Sequence, residues 1–223
     1  ARYAGFGDSA FNEAFDKHPY KTTPWTKRGN DLRELTTEEE YQAIEKSRLD
    51  SFYTPPEVIN AMWTALNHLG IDNLSNPRIL EPSAGSGRFL GFEPKELTAR
   101  SQRTAVELDK MTGRILKHLY PETAVYEGIG YQEAPIRKDS VDVAISNIPF
   151  GNRPIFDRDF RQDRKKLTRQ IQNYFFAKSL DHLRPGGVLA FITMHSTLDD
   201  KRTRPVREAL AERADFLGAV RLP

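Results

Sequence analysis

The stretch that most restricts this chain is Arg78-Ile79-Leu80-Glu81-Pro82-Ser83-Ala84-Gly85-Ser86-Gly87, a short apolar run that stops at a carboxylate and enters two glycines. A run of that length bounded by turn residues reads as a buried strand. Glycines at a strand-to-helix turn let a ligand approach the backbone where a side chain would collide, and open α/β sheets bind ligands at the carboxyl ends of their strands. The turn therefore predicts a ligand site on a mostly parallel sheet. A dinucleotide fingerprint needs a third glycine at position 90, where Leu90 stands, and the lysine of a phosphate loop is absent. An acid just ahead of the glycines suits a cationic ligand better than a pyrophosphate.

From Ser51 onward strand and helix signals alternate, as they do in a parallel sheet with crossover helices. The expected strands are 78–81, 104–107, 123–126, 141–145, 188–192 and 219–222. Thr54-Pro55-Pro56 opens a helix with an apolar stripe at Val58, Ile59, Met62, Trp63, Leu66 and Leu69. Further helices are expected near 110–119, 170–183 and 205–214. Residues 1 to 50 read as an extension, partly helical, in which Thr37 and Glu40 form a capping box for a helix reaching about Ser47. Residues 51 to 223 are then one Rossmann-like domain.

Composition narrows the chemistry. With no cysteine, disulfides, thiolate zinc sites and cysteine nucleophiles are excluded, and the scattered histidines have no metal-ligand spacing. Lys+Arg 33 against Asp+Glu 31 leaves a net charge of +2, so only a local basic cluster can mark a polyanion site. One exists: residues 151–170 hold Arg153, Arg158, Arg161, Arg164, Lys165, Lys166 and Arg169 against three aspartates, a net +4 in twenty residues. Such clusters neutralise phosphates, although a solvated loop has the same composition. No apolar stretch has the length of a membrane span, and no signal sequence precedes the domain, which points to a cytoplasmic protein; the start without a methionine reads as a piece of a longer one.

Glu107 ends the second strand, twenty residues past Gly87, where a carboxylate can take both hydroxyls of a ribose. The fourth strand runs into Asn147-Ile148-Pro149-Phe150, an amide acceptor, a backbone carbonyl and a flat aromatic face within four residues, which suits a planar amine.

These segments resemble the adenine-specific (N6) DNA methyltransferases. Asn147 to Phe150 is similar to their Asn-Pro-Pro-Tyr/Phe catalytic motif and Glu81 to Gly87 to their cofactor turn. Ser51-Phe52-Tyr53-Thr54-Pro55-Pro56 is similar to the segment ahead of that turn, and Arg184-Pro185-Gly186-Gly187 to the approach of a late strand. Tyr3-Ala4-Gly5-Phe6-Gly7 resembles the methylase region of large phage and conjugative-element methylase–helicase proteins. The resemblance implies S-adenosylmethionine as cofactor, bound by Tyr53, Thr54, Glu81, Pro82, Ser83, Ala84, Gly85, Gly87, Phe89, Glu107, Leu108 and Asn147. It implies catalysis by Asn147, Ile148, Pro149 and Phe150 on a flipped adenine of double-stranded DNA, the basic stretch on phosphates, no metal, and a helicase-like part following in the same polypeptide.

Three departures are visible, one being that a separate target-recognition domain and the second base-stacking aromatic expected downstream of the late strands are not in these residues. Ile148 replaces a proline, and the resemblance implies that proline would be accepted there. An aspartate after the third strand is replaced by Glu127-Gly128. Two other readings fit the same motif: methylation of a glutamine amide in protein, and a silent nucleic-acid-binding module that supports a helicase.

Overall fold

The computed structural model describes residues 9–16, 20–47, 53–160 and 162–222. Tyr3 to Gly7, Ser51, Phe52 and Arg161 lie outside them. Internal contacts divide the chain into two units, Ala1–Val58 and Ile59–Pro223.

The first unit holds a 3-10 turn at Ser9–Phe15, helix α1 at Pro24–Leu35 and helix α2 at Glu38–Ser47. The Thr37 and Glu40 capping box forms, with the Thr37 amide donating to Glu40 at 2.9 Å and the Glu40 amide to Thr37 Oγ1 at 3.3 Å. Helix α1 was not expected. Its start is a second capping box between Thr23 and Thr26, with Pro24 at the first helical position, a signal hidden in a polar stretch without an apolar stripe. Gly29 on α1 is dictated by packing, because a Cβ there would lie 1.8 Å from the Ala14 carbonyl oxygen.

The second unit is a five-stranded, all-parallel sheet in the order β3-β2-β1-β4-β5, with β1 at Arg78–Glu81, β2 at Gln102–Glu107, β3 at Ala124–Glu127, β4 at Val141–Asn147 and β5 at Leu183–Ile192. Helix α3 at Pro56–His68 begins in the first unit and packs Ile59, Trp63 and Leu66 on the sheet. Leu69, at the end of the expected stripe, is 51% exposed. Short helices α4 at Arg88–Gly91 and α5 at Lys95–Thr98 follow β1, α6 at Lys110–Leu119 follows β2, and α7 at Ile171–His182 precedes β5. After β5 come α8 at Ser196–Asp199 and α9 at Arg204–Ala211.

The period-2 alternation of buried strands divides the core between the two faces of the sheet. Ile79, Val143 and Ile145 join Trp63, Leu66, Phe89 and Leu97 on one face; Leu80 and Ala144 join Tyr131, Tyr174, Phe175 and Val206 on the other.

Two expectations about strands need correction. Residues 219–222 are not a strand: they are exposed and unpaired, because a strand exists only where a neighbour completes its hydrogen bonds, and none of the described residues does so. β5 starts earlier than expected, at Leu183, and Arg184 to Gly187 form an irregularity within its pairing to β4, since Val141 pairs with Leu183 and Val143 with Val188. Gly187 passes 3.1 Å from the Asp142 carbonyl oxygen, measured from where a Cβ would sit, which explains a glycine there.

Candidate active site

The strand order reverses between β1 and β4, and a crevice opens at such a switch point outside the carboxyl ends of the strands. Glu81 ends β1 and Asn147 ends β4, so the sheet itself brings these two expected residues to one edge. The Ser146 hydroxyl, which is buried, donates to the Ser83 carbonyl at 3.2 Å and ties the glycine turn to β4.

The two glycines of the turn differ in kind. Both have positive φ, 54° at Gly85 and 78° at Gly87, which L side chains rarely adopt. At Gly87 a Cβ would meet Leu116 at 2.4 Å and Tyr120 at 2.6 Å, so its smallness serves helix packing. At Gly85 nothing lies within 4 Å of a Cβ, and the backbone faces open space that a ligand can fill. The Gly85 amide donates to Glu107 Oε2 at 2.7 Å, and the Asp109 amide donates to Glu107 Oε1 at 2.8 Å. Glu107 thus anchors the turn as well as standing at the strand end, a role its position alone did not reveal. A carboxylate has about four acceptor sites, so capacity for ribose hydroxyls remains.

Glu81 is 1% exposed. Burial pushes its carboxyl well above the usual carboxylate range; the Leu90 and Phe89 amides pull it down, and the Glu107 charge pushes it further up. Its Oε2 has no hydrogen-bond partner. Burial also raises Glu107, against the pull of the Asp109 and Gly85 amides. Two carboxyls that resist ionisation at neighbouring strand ends favour a cationic or hydroxyl-rich ligand.

At the end of β4, Asn147 is half-buried, yet its Oδ1 is fully covered and accepts no hydrogen bond. Ile148 is 1% exposed within the core, and its amide donates to the Ile192 carbonyl at 3.2 Å. Packing and this bond supply the rigidity that a proline ring would otherwise give. The expectation that proline is accepted at 148 is therefore corrected, since proline has no N–H to donate and would vacate buried volume. Phe150 is 40% exposed.

The loop after Phe150 is fastened to α7 at its first residues. The Gly151 amide donates to Gln172 Oε1 at 3.0 Å, the Ile171 amide donates to the Gly151 carbonyl at 3.4 Å, and Gln170 Nε2 donates to Asn152 Oδ1 at 2.9 Å. Gln172 is 1% exposed. Sequence reading missed it, because a glutamine in an apolar helix carries no periodic signal; the only available clue was a polar pair, Gln172-Asn173, at positions that a helix of this kind should bury.

Other expected residues are distributed as follows. Phe89 is a core residue whose ring is 3% exposed and whose carbonyl accepts from the Trp63 indole at 3.0 Å. Leu108 is 71% exposed beside Glu107. Glu127, at the end of β3, pairs with Lys117 at 3.1 Å. Tyr53 and Thr54 belong to the first unit, where Thr54 is buried. In the basic stretch Arg153, Arg158, Lys165, Lys166 and Arg169 are exposed. Arg164 turns inward, 3.9 Å over the Phe160 ring and paired at 3.0 Å with Asp181, a carboxylate it shares with Arg213. Among the described residues no group of three or more His, Cys, Asp or Glu is placed to hold a metal ion, and no helix is long and apolar enough to cross a membrane.

The profile of the family described as N-6 DNA Methylase matches residues 38–223. The chain belongs to the N-6 DNA methylase family. The family and the solved structures of this fold support S-adenosylmethionine as its cofactor. Over 179 residues the chain is 31% identical to the Defense against restriction protein B of Escherichia phage P1, a match that covers 78% of this chain and 7% of the phage protein. The chain thus spans about 7% of the length of that curated relative. Among solved structures it is similar to the methyltransferase subunit of a type I restriction-modification system from Streptococcus thermophilus, with a TM-score of 0.59, 17% identity and coverage of 84% of this chain and 46% of the other. It is also similar to a class I S-adenosylmethionine-dependent methyltransferase of Listeria monocytogenes, with a TM-score of 0.57, 16% identity and coverage of 93% and 70%. These likenesses establish the Rossmann-like methyltransferase fold.

Proposed function

We propose that the methylase transfers a methyl group to the exocyclic N6 amine of adenine in DNA, and that the base is flipped from the duplex to reach the crevice. The observation that carries the reading is Asn147 Oδ1, a covered acceptor without a partner at the carboxyl end of β4. A buried acceptor left unmade costs about 1–3 kcal/mol, so a native fold keeps one where a ligand donor completes it. An amine hydrogen is such a donor.

The residues present fit S-adenosylmethionine. Glu81 and Glu107 offer acceptors to a ligand bearing hydroxyls and an ammonium, and Gly85 opens the backbone to close approach, with Pro82, Ser83 and Ala84 shaping the turn. When bound, the cofactor supplies an electrophilic methyl on a sulfonium.

The chain supplies the rest. The adenine amine is a poor nucleophile because its lone pair is conjugated into the ring. Asn147 Oδ1 and the Ile148 carbonyl each accept one amine hydrogen, which favours the tetrahedral nitrogen and frees the lone pair for attack. Phe150, partly exposed, stacks on the base, while Pro149 fixes the backbone between the two. Flipping costs a few kcal/mol, offset by stacking and by phosphate contacts from the exposed cations of residues 153–169. The test is labelled-methyl transfer to duplex DNA followed by nucleoside analysis. Label in N6-methyladenine supports the reading; label in a glutamine amide of protein, or no transfer by the intact protein to any duplex, overturns it. A downstream helicase-like part and a cytoplasmic setting are part of the same proposal.

A further inference from the structure

We propose that Phe156 is a second stacking platform for a nucleobase, outside the crevice and separate from Phe150; this rests on the reading of DNA as substrate. Its ring is 82% exposed, yet the backbone carrying it is held on both sides. The Ile155 amide donates to the Thr168 carbonyl at 2.9 Å. Asp157 is 8% exposed, and its carboxylate accepts from the Tyr174 hydroxyl at 2.6 Å, Lys178 Nζ at 2.9 Å and the Asp159 amide at 2.8 Å. Burial alone would raise the Asp157 carboxyl, but these donors hold it below its usual value, so it stays an anion neutralised by Lys178. Residue 155 faces inward, 156 outward and 157 inward, as in an extended segment pinned at alternate positions.

A lone exposed apolar residue is ordinary on a protein surface. Here the backbone that carries the ring is held on both sides rather than lying on a free tip, so a contact with it loses little backbone freedom. Its surroundings are cationic. Arg153 and Arg158 flank it in sequence, and Arg169 follows the Thr168 to which the segment is bonded; all three are exposed. The nearest acid, Asp157, is matched internally. A flat apolar face among exposed cations fits a nucleic acid strand, whose bases offer π-faces and whose phosphates take the charges. Phe150 and Phe156 are six positions apart, a reach of at most roughly 20 Å, so both rings can engage the same piece of DNA.

The probe is a fluorescein-labelled adenine-containing oligonucleotide, single-stranded and duplex, titrated with the protein at several salt concentrations. Phe156→Ala should weaken binding about 5- to 150-fold, the range expected for loss of one base stack, with the salt slope unchanged because no charge is removed. Phe156→Trp should restore affinity, and its indole emission should be quenched on binding. Unchanged thermal unfolding serves as the control for fold. If Phe156→Ala binds as tightly as the wild type, Phe156 is not a platform and the inference falls alone. If the wild type binds neither oligonucleotide, the inference and the DNA reading fall together. Weakened binding without transfer to adenine keeps the platform and overturns only the methyl acceptor.

Discussion

β1 and β4 lie side by side, and their two ends treat polar side chains in opposite ways. At the amino end, Asp142 is 6% exposed and takes hydrogen bonds from the Arg78 amide at 2.8 Å, from Arg78 Nε at 2.9 Å and from Arg184 Nε. At the carboxyl end, Glu81 Oε2 and Asn147 Oδ1 are covered and have no partner. The carboxyls differ accordingly. Burial would raise Asp142, but the two arginines outweigh it and hold the group at about 2, whereas burial prevails at Glu81 and drives it well above the usual range. One end is completed by the protein itself, and the other keeps acceptors without a protein partner, which the proposed function assigns to ligand. Stability and function are thereby separated along the same two strands, which is the common pattern of sites that carry a local energetic cost.

The largest expected effect is at Asn147. Asn147→Ala removes the one side-chain acceptor offered to the target amine, so labelled-methyl transfer should fall by about 100-fold or more, while cofactor affinity measured by calorimetry falls by a much smaller factor. A rate within threefold of wild type would remove Asn147 from the chemistry. Next comes Ile148→Pro, which loses the bond to Ile192 and leaves buried space; unfolding in urea should show a loss of about 2–3 kcal/mol. An unshifted midpoint would mean that packing around β4 is looser than the contacts imply.

The smallest effect is at the other end. Asp142→Asn should cost about 1–2 kcal/mol, discounted because the Arg78 and Arg184 side chains are 40% and 33% exposed, and should leave cofactor binding untouched. Because the folded carboxyl lies below its ordinary 3.8, its contribution is present above that value and lost as pH falls through about 2. The variant's deficit should therefore shrink in acid; a deficit constant down to pH 2 would assign the effect to something other than charge.

Much of this division was legible in the sequence. Glu81, Glu107 and Asn147 follow from where apolar runs stop, since a strand end in a parallel sheet is a fixed place, and the short apolar runs located the five strands. What escaped were features built by long-range packing. Asp142, Gln172 and Asp157 look like unremarkable polar residues until the fold brings Arg184, Gly151 and Lys178 to them. Arg164 and Phe89 showed the converse: composition and motif placed them on the surface of the site, and neighbours far away in sequence drew them inward. Residues 219–222 have the composition of a strand but no partner, which no local pattern reports.

The most direct test of the two-ended design is a pair of measurements on Glu81→Gln, thermal unfolding and titration with S-adenosylmethionine. Removing a charge that burial penalises should raise the unfolding temperature of the free protein and weaken the cofactor by about ten- to hundredfold, corresponding to about 1.5–3 kcal/mol for lost charge-assisted bonds. A folded pKa above the ordinary 4.5 means that the wild type is relieved of the penalty when Glu81 is protonated, so the stabilisation by Gln should grow as pH rises from 4.5 through the raised value. A Glu81→Gln protein that unfolds earlier than wild type at every pH and still binds S-adenosylmethionine with wild-type affinity would contradict the assignment of this end to ligand.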